Sequence, residues 1–245
     1  MNRVLSYDKF KLQKSKYWWI CTLIAIAMNT IGIIVLKNGM KYLGGSKSLP
    51  FDAYRSITSP VTFLLAIIIC LFVGTDFKTG TIKNIASKGI HRHEIVLSKL
   101  IWSYILSFIF ITLSVLAGIV SIILLTNTSI KGKELVELIK LTAISFVAVC
   151  AFSSLFNLIS FTFKSSGISM AISIIFIMLS EIVISLLEVL LKIKNLKIYF
   201  PNFISTITVS GASSKTITTF IISMIVWTVV CSGLTILIFK KQEIK

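Results

Sequence analysis

The charged residues between Asp76 and Lys99 are the first candidates for chemistry, because they separate two strongly apolar segments of the chain. Within this stretch Ile82 and Ile85 share one helical face, and polar residues such as Lys83 occupy the other. The pattern predicts a short amphipathic helix whose lysines can pair with acidic residues of a soluble partner. The alternative is a solvated basic loop that only sets the membrane topology.

Local signals bound this predicted helix on both sides. Thr79-Gly80-Thr81 offers hydroxyl groups of the kind that start helices, and Gly89 stands where a helix would stop. Gly80 also permits the close approach of another backbone. Residues 91–94 then begin a second helix that continues into the next apolar segment. The predicted short helix therefore lies across the mouth of two helices.

The sequence lacks the motifs of the common catalytic and metal sites. It has no G-x-x-x-x-G-K-[ST] phosphate loop, so any ATP that drives this protein must be hydrolysed by another chain. No Ser-His-Asp set or H-E-x-x-H motif occurs. His91 and His93 are the only histidines, and their spacing points them to different faces of a helix. We therefore expect no enzyme activity, no metal site and no cofactor in this chain.

Glu181 is a carboxylate inside an apolar segment, where a charge is costly unless it faces protein or water. It could line a path for the cationic part of a substrate or act as a gate partner for a lysine such as Lys192 or Lys197. Alternatively, it could form a structural hydrogen bond between helices. Glu188 lies on the same helical face but nearer the end of the segment. For Glu188 the structural or interfacial role is favoured, whereas for Glu181 both roles stay open.

Small polar side chains mark two other apolar segments. Ser153 and Asn157 belong to a stripe on one helical face, and Asn29 stands alone in the first apolar run. Such residues most often pack helices closely in lipid, and a minority line a transport path. Together with Glu181, these three residues are the candidates for a substrate path.

The composition indicates an integral membrane protein. Of the 245 residues 56% are apolar and only 14% are charged, which is more apolar surface than a soluble core of this size could bury. The net charge of +16 comes from basic residues that flank the apolar runs. It therefore indicates contact with anionic membrane lipids and not with nucleic acid. The four cysteines lie inside apolar runs and are expected to be packing thiols.

We predict an all-α protein with one transmembrane domain, residues 1–245, and six membrane spans. A span needs about 20 residues to cross a bilayer. The predicted spans are 17–36, 60–75, 100–125, 135–163, 168–191 and 217–239. The connecting segments are a basic, interfacial N-terminus (1–16), a polar loop (37–59), the short helix region (76–99) and an outer segment (192–216) of short helices that re-enter the membrane.

Six spans place both termini on the same side of the membrane. The tightest basic clusters are the N-terminus and the region 78–99, and basic residues favour the cytoplasmic side. We therefore expect a multi-pass protein of the plasma membrane, in a bacterial cell, with both termini in the cytoplasm.

The stretch from Asp76 to Lys99 resembles the signature of ABC-2-type permeases, the membrane subunits of one class of ATP-binding-cassette exporter. The six-span layout, the broken outer segment and the basic tail are also similar to that family. The acidic position is often Glu in the family, and Asp76 is a conservative departure. The residues that carry the resemblance are Asp76, Gly80, Thr81, Ile82, Lys83, Asn84, Gly89, Arg92 and Lys99.

The resemblance implies that this stretch holds the coupling helix, which sits in a groove on a cytosolic ATPase. It also implies a permease dimer, of identical or sibling chains, with two ATPase subunits that carry ATP and Mg²⁺. A rigid lever at this position would pass the closure of the ATPase pair to the spans as rigid-body motion. The implied ATPase contacts are Asp76, Gly80, Thr81, Ile82, Lys83, Asn84, Ile85 and Arg92.

Short chains of this kind resemble permeases for amphipathic peptides, bacteriocins or other membrane-active antibiotics, including self-protection pumps. The expected function is therefore ATP-driven export of such compounds. The alternative is an ATP-independent secondary transporter, channel or scaffold. A secondary transporter usually shows an internal repeat and spans broken near the bilayer midplane, and the sequence shows neither.

Overall fold

The computed structural model describes residues 2–43, 49–126, 132–192, 196–201 and 214–242. Within these ranges the chain is helical with short turns and has no strand, which confirms the predicted all-α fold. A 3₁₀ turn, Leu196–Tyr199, precedes the last helix. The helices are α1 (Asn2–Lys14), α2 (Lys16–Leu43), α3 (Leu49–Lys78), α4 (Thr81–Ser87), α5 (Arg92–Thr126), α6 (Gly132–Phe163), α7 (Ser166–Leu191) and α8 (Ser214–Lys241).

Six of these helices are long and apolar enough to cross a membrane, namely α2, α3, α5, α6, α7 and α8. This confirms the predicted multi-pass membrane protein. The short helix α4 lies between the second and third of them, as the pattern around Ile82 and Ile85 predicts.

The helices extend beyond the predicted spans, most clearly between the first two. The region 37–59 was expected to be a polar loop, but α2 continues to Leu43 and α3 begins at Leu49. Pro50 does not prevent this because it lies in the first turn of α3, where its missing N–H has no helical partner to lose. Residues 44–48 lie outside the described part of the chain.

Helices α3 and α6 form the centre of the bundle. In their membrane-spanning windows 67% and 72% of the residues are buried, against 17% in α7 and in α8. α3 contacts α2, α5, α6 and α7, and α6 packs along α8. Phe77, Phe161 and Phe239 meet edge to face, with centroid distances of 5.1–6.3 Å, and join α3, α6 and α8 at one end.

The predicted outer segment, 192–216, is described only in part. Residues 193–195 and 202–213 lie outside the described ranges, so the expected re-entrant helices stay a prediction. The 3₁₀ turn packs on α8, where Ser223 Oγ and Trp227 Nε1 each donate a hydrogen bond of 3.0 Å to Tyr199 O. The turn also contacts α7 through Lys197.

Candidate docking site around helix α4

Helix α4 is set apart from its neighbours by two glycines in the left-handed region. Gly80 has φ 69° and Gly89 has φ 78°, which other residues adopt at a cost. The expected threonine cap is replaced: Gly80 is the N-cap, and the Thr79 and Thr81 hydroxyls lie 2.8 Å from each other. The chain thus turns sharply at both ends of α4, which lets this seven-residue helix lie between α3 and α5.

The apolar face of α4 packs against the chain itself. Ile82 is 1% exposed, and Ile85 is half-buried against the same apolar core. The predicted periodicity is therefore correct, but Ile82 cannot fill a pocket on a partner while it stays in this core. The outward face presents Lys83, Asn84, Ser87 and Lys88, all exposed.

Asp76, at the end of α3, is also internal. It is 1% exposed and belongs to a group of four buried or half-buried charges, Asp8, Lys11, Asp76 and Lys99, which we call the charge cluster. Lys99 bridges the two carboxylates, at 2.6 Å from Asp8 Oδ1 and in direct contact with Asp76 Oδ2. Asp76 therefore acts first as an internal anchor, and a direct contact with a partner would require the cluster to open.

Every carboxylate oxygen of the charge cluster accepts a hydrogen bond. Ser98 Oγ donates to Asp8 Oδ2 at 2.6 Å, and Lys11 Nζ donates to Asp76 Oδ1 at 2.7 Å. Lys11 Nζ also donates to Thr75 Oγ1 and to Phe72 O, at 2.7 and 2.9 Å. Paired and fully hydrogen-bonded charges of this kind tolerate burial, whereas the loss of one partner would leave an uncompensated charge.

The two lysines of the charge cluster differ in their surroundings. Burial removes water from the Lys11 ammonium group, and together with the nearby charge of Lys99 it lowers the pKa of Lys11 below its ordinary value; Asp76 opposes this shift. Lys99 is fully buried, contacts both carboxylates and lies 4.1 Å from the Phe72 ring centroid. Lys99 is thus the central residue of the cluster.

The charge cluster connects three helices. Asp8 and Lys11 lie on α1, Asp76 on α3 and Lys99 on α5. Trp102 Nε1 adds a hydrogen bond of 3.1 Å to Leu5 O, which holds α1 against α5. Asp76 precedes α4 in the chain and Lys99 follows it. The charge cluster therefore fixes both ends of the segment that contains α4.

Sequence reasoning missed Asp8. The signal was present, since Asp8 is the only acidic residue in an otherwise basic α1. It also shares a helical face with the buried Val4 and Leu12 (i, i+4, i+8). An acidic side chain on an apolar helical face needs a buried partner. Here that partner is Lys99, which is 91 residues further along the chain.

Arg92 also has an internal role. Its Nη1 atom donates hydrogen bonds to three carbonyl oxygens at the end of α8, those of Phe239, Lys240 and Gln242. These carbonyls have no partner within the helix, and a cation there is favourable for the helix dipole. The contact also shows that α8 ends beside the start of α5. We call the end of the bundle that contains α1, α4 and this contact the α4 end.

The predicted path residues separate into two kinds. Asn157 Nδ2 donates to Ser103 Oγ at 2.9 Å, and Ser153 Oγ lies in hydrogen-bond contact with Ser107 Oγ, so both residues join α6 to α5. Asn29 is also fully buried, with its amide 3.5 Å from Ser114 O. In the structure these three residues link helices, and their role in a substrate path stays a prediction.

Glu181 differs from the other candidates because it is exposed on α7. It has no hydrogen-bond or ion-pair partner among the residues that the structure describes. Glu188, two turns further on, accepts a hydrogen bond of 2.9 Å from Lys197 N and lies 3.3 Å from Lys197 Nζ. Glu181 is therefore the one path candidate whose carboxylate is available to another molecule.

A family model matches most of the chain described above. The model of the ABC-2 family transporter protein matches residues 5–180, which run from α1 through α4 into the second half of α7. No curated protein matches the chain significantly. The matched range covers more than half of the chain and includes the charge cluster, α4 and the central helices α3 and α6. On this match, and with six helices suited to span a membrane, the chain belongs to the ABC-2 family of transporter proteins and is a membrane permease component of an ABC transporter.

Proposed function

We propose that this chain is the permease subunit of an ATP-driven exporter and that a separate cytosolic ATPase docks on α4. The ATPase would bind ATP and Mg²⁺, because this sequence has no phosphate loop. Family membership implies association with an ABC ATPase. We infer two ATPase copies and two permease chains, identical or sibling, in a bacterial plasma membrane with the α4 end in the cytoplasm.

The observation that carries this proposal is the two-sided character of α4. Its inner face is held in the core by Ile82, and its outer face carries Lys83 and Lys88 with no ion-pair partner in the described ranges. A helix fixed on one side and charged on the other can transmit a push from a docked partner. The charge cluster would pass that push on to α1, α3 and α5.

The role of each predicted ATPase contact follows from its burial. Lys83 and Asn84 are exposed and would touch the partner directly, while Gly80 and Thr81 shape the approach at the start of α4. Ile82 and Ile85 would position the helix from inside. Asp76 and Arg92 would act through the charge cluster and the end of α8.

Co-purification tests the docking proposal. The chain would be co-expressed with the ABC ATPase encoded beside it, and the complex isolated through a tag on the ATPase. We expect the double variant Lys83→Glu/Lys88→Glu to lose the complex, since it reverses the charge of the docking face without touching the core. The matched control is Lys215→Glu, an exposed lysine at the start of α8, far from α4. Equal binding by both variants would overturn the proposal.

The cargo we propose is an amphipathic peptide, bacteriocin or other membrane-active compound with a cationic part. Glu181 supports this, because an exposed carboxylate in a membrane span is costly unless another molecule covers it. A second permease chain packed against α7 would enclose Glu181 between the two copies. A cationic amphipath could then move along α7 with its charge near this carboxylate.

Resistance measurements test the cargo proposal. Cells that express the permease and its ATPase would be challenged with a cationic amphipathic antimicrobial peptide and with a neutral membrane-active compound. We expect Glu181→Gln to reduce resistance to the cationic peptide only. Glu188→Gln is the control, because Glu188 pairs with Lys197 within the chain. If Glu181→Gln leaves both resistances unchanged, Glu181 is a structural residue.

A further inference from the structure

A pocket of about 390 Å³ opens at the α4 end, in the angle between α1, the start of α2 and α5. Its size lies within the range of small-molecule sites. The pocket is separate from the outward face of α4 and from Glu181. Its lining residues are Lys9, Leu12 and Gln13 from α1, Trp18 and Trp19 from α2, and Trp102, Ile105, Leu106 and Ile109 from α5.

The lining changes from polar to apolar along the bundle. Lys9 and Gln13, both exposed, come from α1, whereas Ile105 and Ile109 follow α5 away from the α4 end. The distance from Trp102 to Ile109 along α5 is about 10 Å at the rise of an α-helix. Tryptophans between such a polar rim and an apolar wall are typical of a membrane–water boundary. The pocket therefore matches an amphiphile with one polar head and one apolar chain.

The walls of the pocket are held in place by contacts within the chain. Trp102 donates its indole N–H to Leu5 O at 3.1 Å, so this group is not free to bind a ligand. Trp18 packs against Phe110 with a centroid distance of 6.1 Å. Leu12 and Leu106 are buried in the floor. The pocket is thus preformed, and its deeper part offers an apolar surface.

The charge at the rim is positive and lacks an acidic counterpart. Asp8 is the only acidic residue of α1, and its two carboxylate oxygens are occupied by Lys99 and Ser98. Helix α2 has no acidic residue. Lys9 has no carboxylate partner among the described residues, so its charge is available to an anion.

We propose that this pocket binds one anionic phospholipid, with the phosphate at Lys9 and Gln13 and an acyl chain along the tryptophans and α5. Charge complementarity selects an anionic lipid over a zwitterionic one, and the apolar wall selects a lipid over a free phosphate ion. The site goes beyond the proposed transport function and does not depend on it.

Tryptophan fluorescence tests the proposal in the full-length chain reconstituted in vesicles. With Trp227→Phe as the background, the remaining indoles are the three that line the pocket. Quenching by brominated phosphatidylglycerol is compared with quenching by brominated phosphatidylcholine. We expect about fivefold preference for phosphatidylglycerol, the ratio that corresponds to about 1 kcal/mol for one lysine near a membrane surface.

Two lysine variants show where the preference arises. Lys9→Gln should abolish it, because Lys9 lines the pocket. Lys14→Gln should keep it, because Lys14 lies on α1 over the Phe10 ring and does not line the pocket. If phosphatidylglycerol is not preferred, or if both variants behave alike, the proposed site is wrong.

Lipid retention in detergent, read by native mass spectrometry, gives an independent test. Ile105→Phe would fill the pocket and should lose the retained phosphatidylglycerol. Ile101→Phe is the control, since Ile101 is one turn away on α5 with almost the same exposure, 36% against 38%, and does not line the pocket.

Displacement of the lipid by inorganic phosphate at constant ionic strength would instead indicate an ion site. A shift from dimer to monomer in Ile105→Phe, with lipid retention unchanged, would indicate an interface between copies. Either of these two results would overturn the proposal.

Discussion

The two ends of the bundle use charge in opposite ways. At the α4 end, Lys99 is 1% exposed and every oxygen of Asp8 and Asp76 has a donor. At the opposite end, Glu188 and Lys197 form one pair whose side chains are 20% and 32% exposed. The first arrangement ties α1, α3 and α5 together, whereas the second joins α7 to a short turn. The difference fits the proposed drive from the α4 end, because the tightly paired charges lie where the ATPase would dock.

The backbone of α3 also makes a close contact near the α4 end. Gly74 on α3 lies so close to the start of α7 that an added Cβ would come within 2.5 Å of Ser166 Cα. Gly233, in the half of α8 nearer the same end, faces open space: apart from its chain neighbours and its own helix backbone, no atom lies within 4 Å of the position of an added Cβ. The α4 end is thus closed by charge pairs and by direct backbone contact.

The largest expected effect comes from Lys99→Met. This variant removes the cation that bridges two buried carboxylates, so we expect a loss of about 3–5 kcal/mol in the free energy of unfolding. The measurement is thermal or denaturant unfolding of the purified chain in detergent. Lys11→Met should cost less, because Lys11 neutralises only Asp76 and its charged form is already disfavoured by burial.

A second change separates charge from packing at this site. Asp8→Asn in the Lys99→Met background leaves Lys11 and Asp76 as a matched pair, and we expect it to recover part of the lost stability. If Asp8→Asn lowers stability further in that background, the charge cluster is not held together by charge balance.

Gly74→Ala should have the next largest effect. The new methyl group would meet the backbone of Ser166, which cannot rotate away, so α3 and α7 must separate. We expect a loss of about 1–3 kcal/mol, the usual range for overpacking. Gly233→Ala is the matched control, and there the higher helix propensity of alanine should raise stability slightly. Equal losses in the two variants would show that the close contact at Gly74 does not matter.

The sequence predicted the coarse fold well because apolar run length decides whether a helix can span a membrane. It also predicted α4, since Gly80 and Gly89 interrupt a helical pattern whose apolar face is clear. It could not predict what that face touches. Ile82 has the same spacing whether it meets a partner or the chain's own core, and only the packing of neighbouring helices distinguishes the two.

The charge cluster escaped sequence reasoning for a related reason. Asp8 and Lys99 are far apart in the chain, and a basic segment with one acidic residue looks like an ordinary membrane flank. Arg92 shows the same limit, because the carbonyl groups it binds belong to the end of α8 and carry no sequence signal. Pairings between distant helices depend on the three-dimensional arrangement, which local patterns do not contain.

Arg92→Gln should have an intermediate effect. It removes the cation from the end of α8, and contacts of this kind are worth about 0.3–2 kcal/mol. We expect faster amide hydrogen exchange in the last turn of α8, around residues 239–242, with little change in the middle of that helix. Uniform exchange changes along α8 would show that Arg92 acts on the whole bundle and not on one helix end.

The smallest expected effect comes from Glu188→Gln at the opposite end. The glutamine carbonyl can still accept the hydrogen bond from Lys197 N, so only the charge is lost. Because the pair is partly exposed, we expect a loss below about 1 kcal/mol that disappears in high salt. The loss in Lys99→Met should persist in the same salt, since Lys99 and the two carboxylates that it contacts are buried from water and ions. If Glu188→Gln costs as much as Lys99→Met, or resists salt equally, the two ends are equally rigid, and a drive from the α4 end must move the whole bundle as one body.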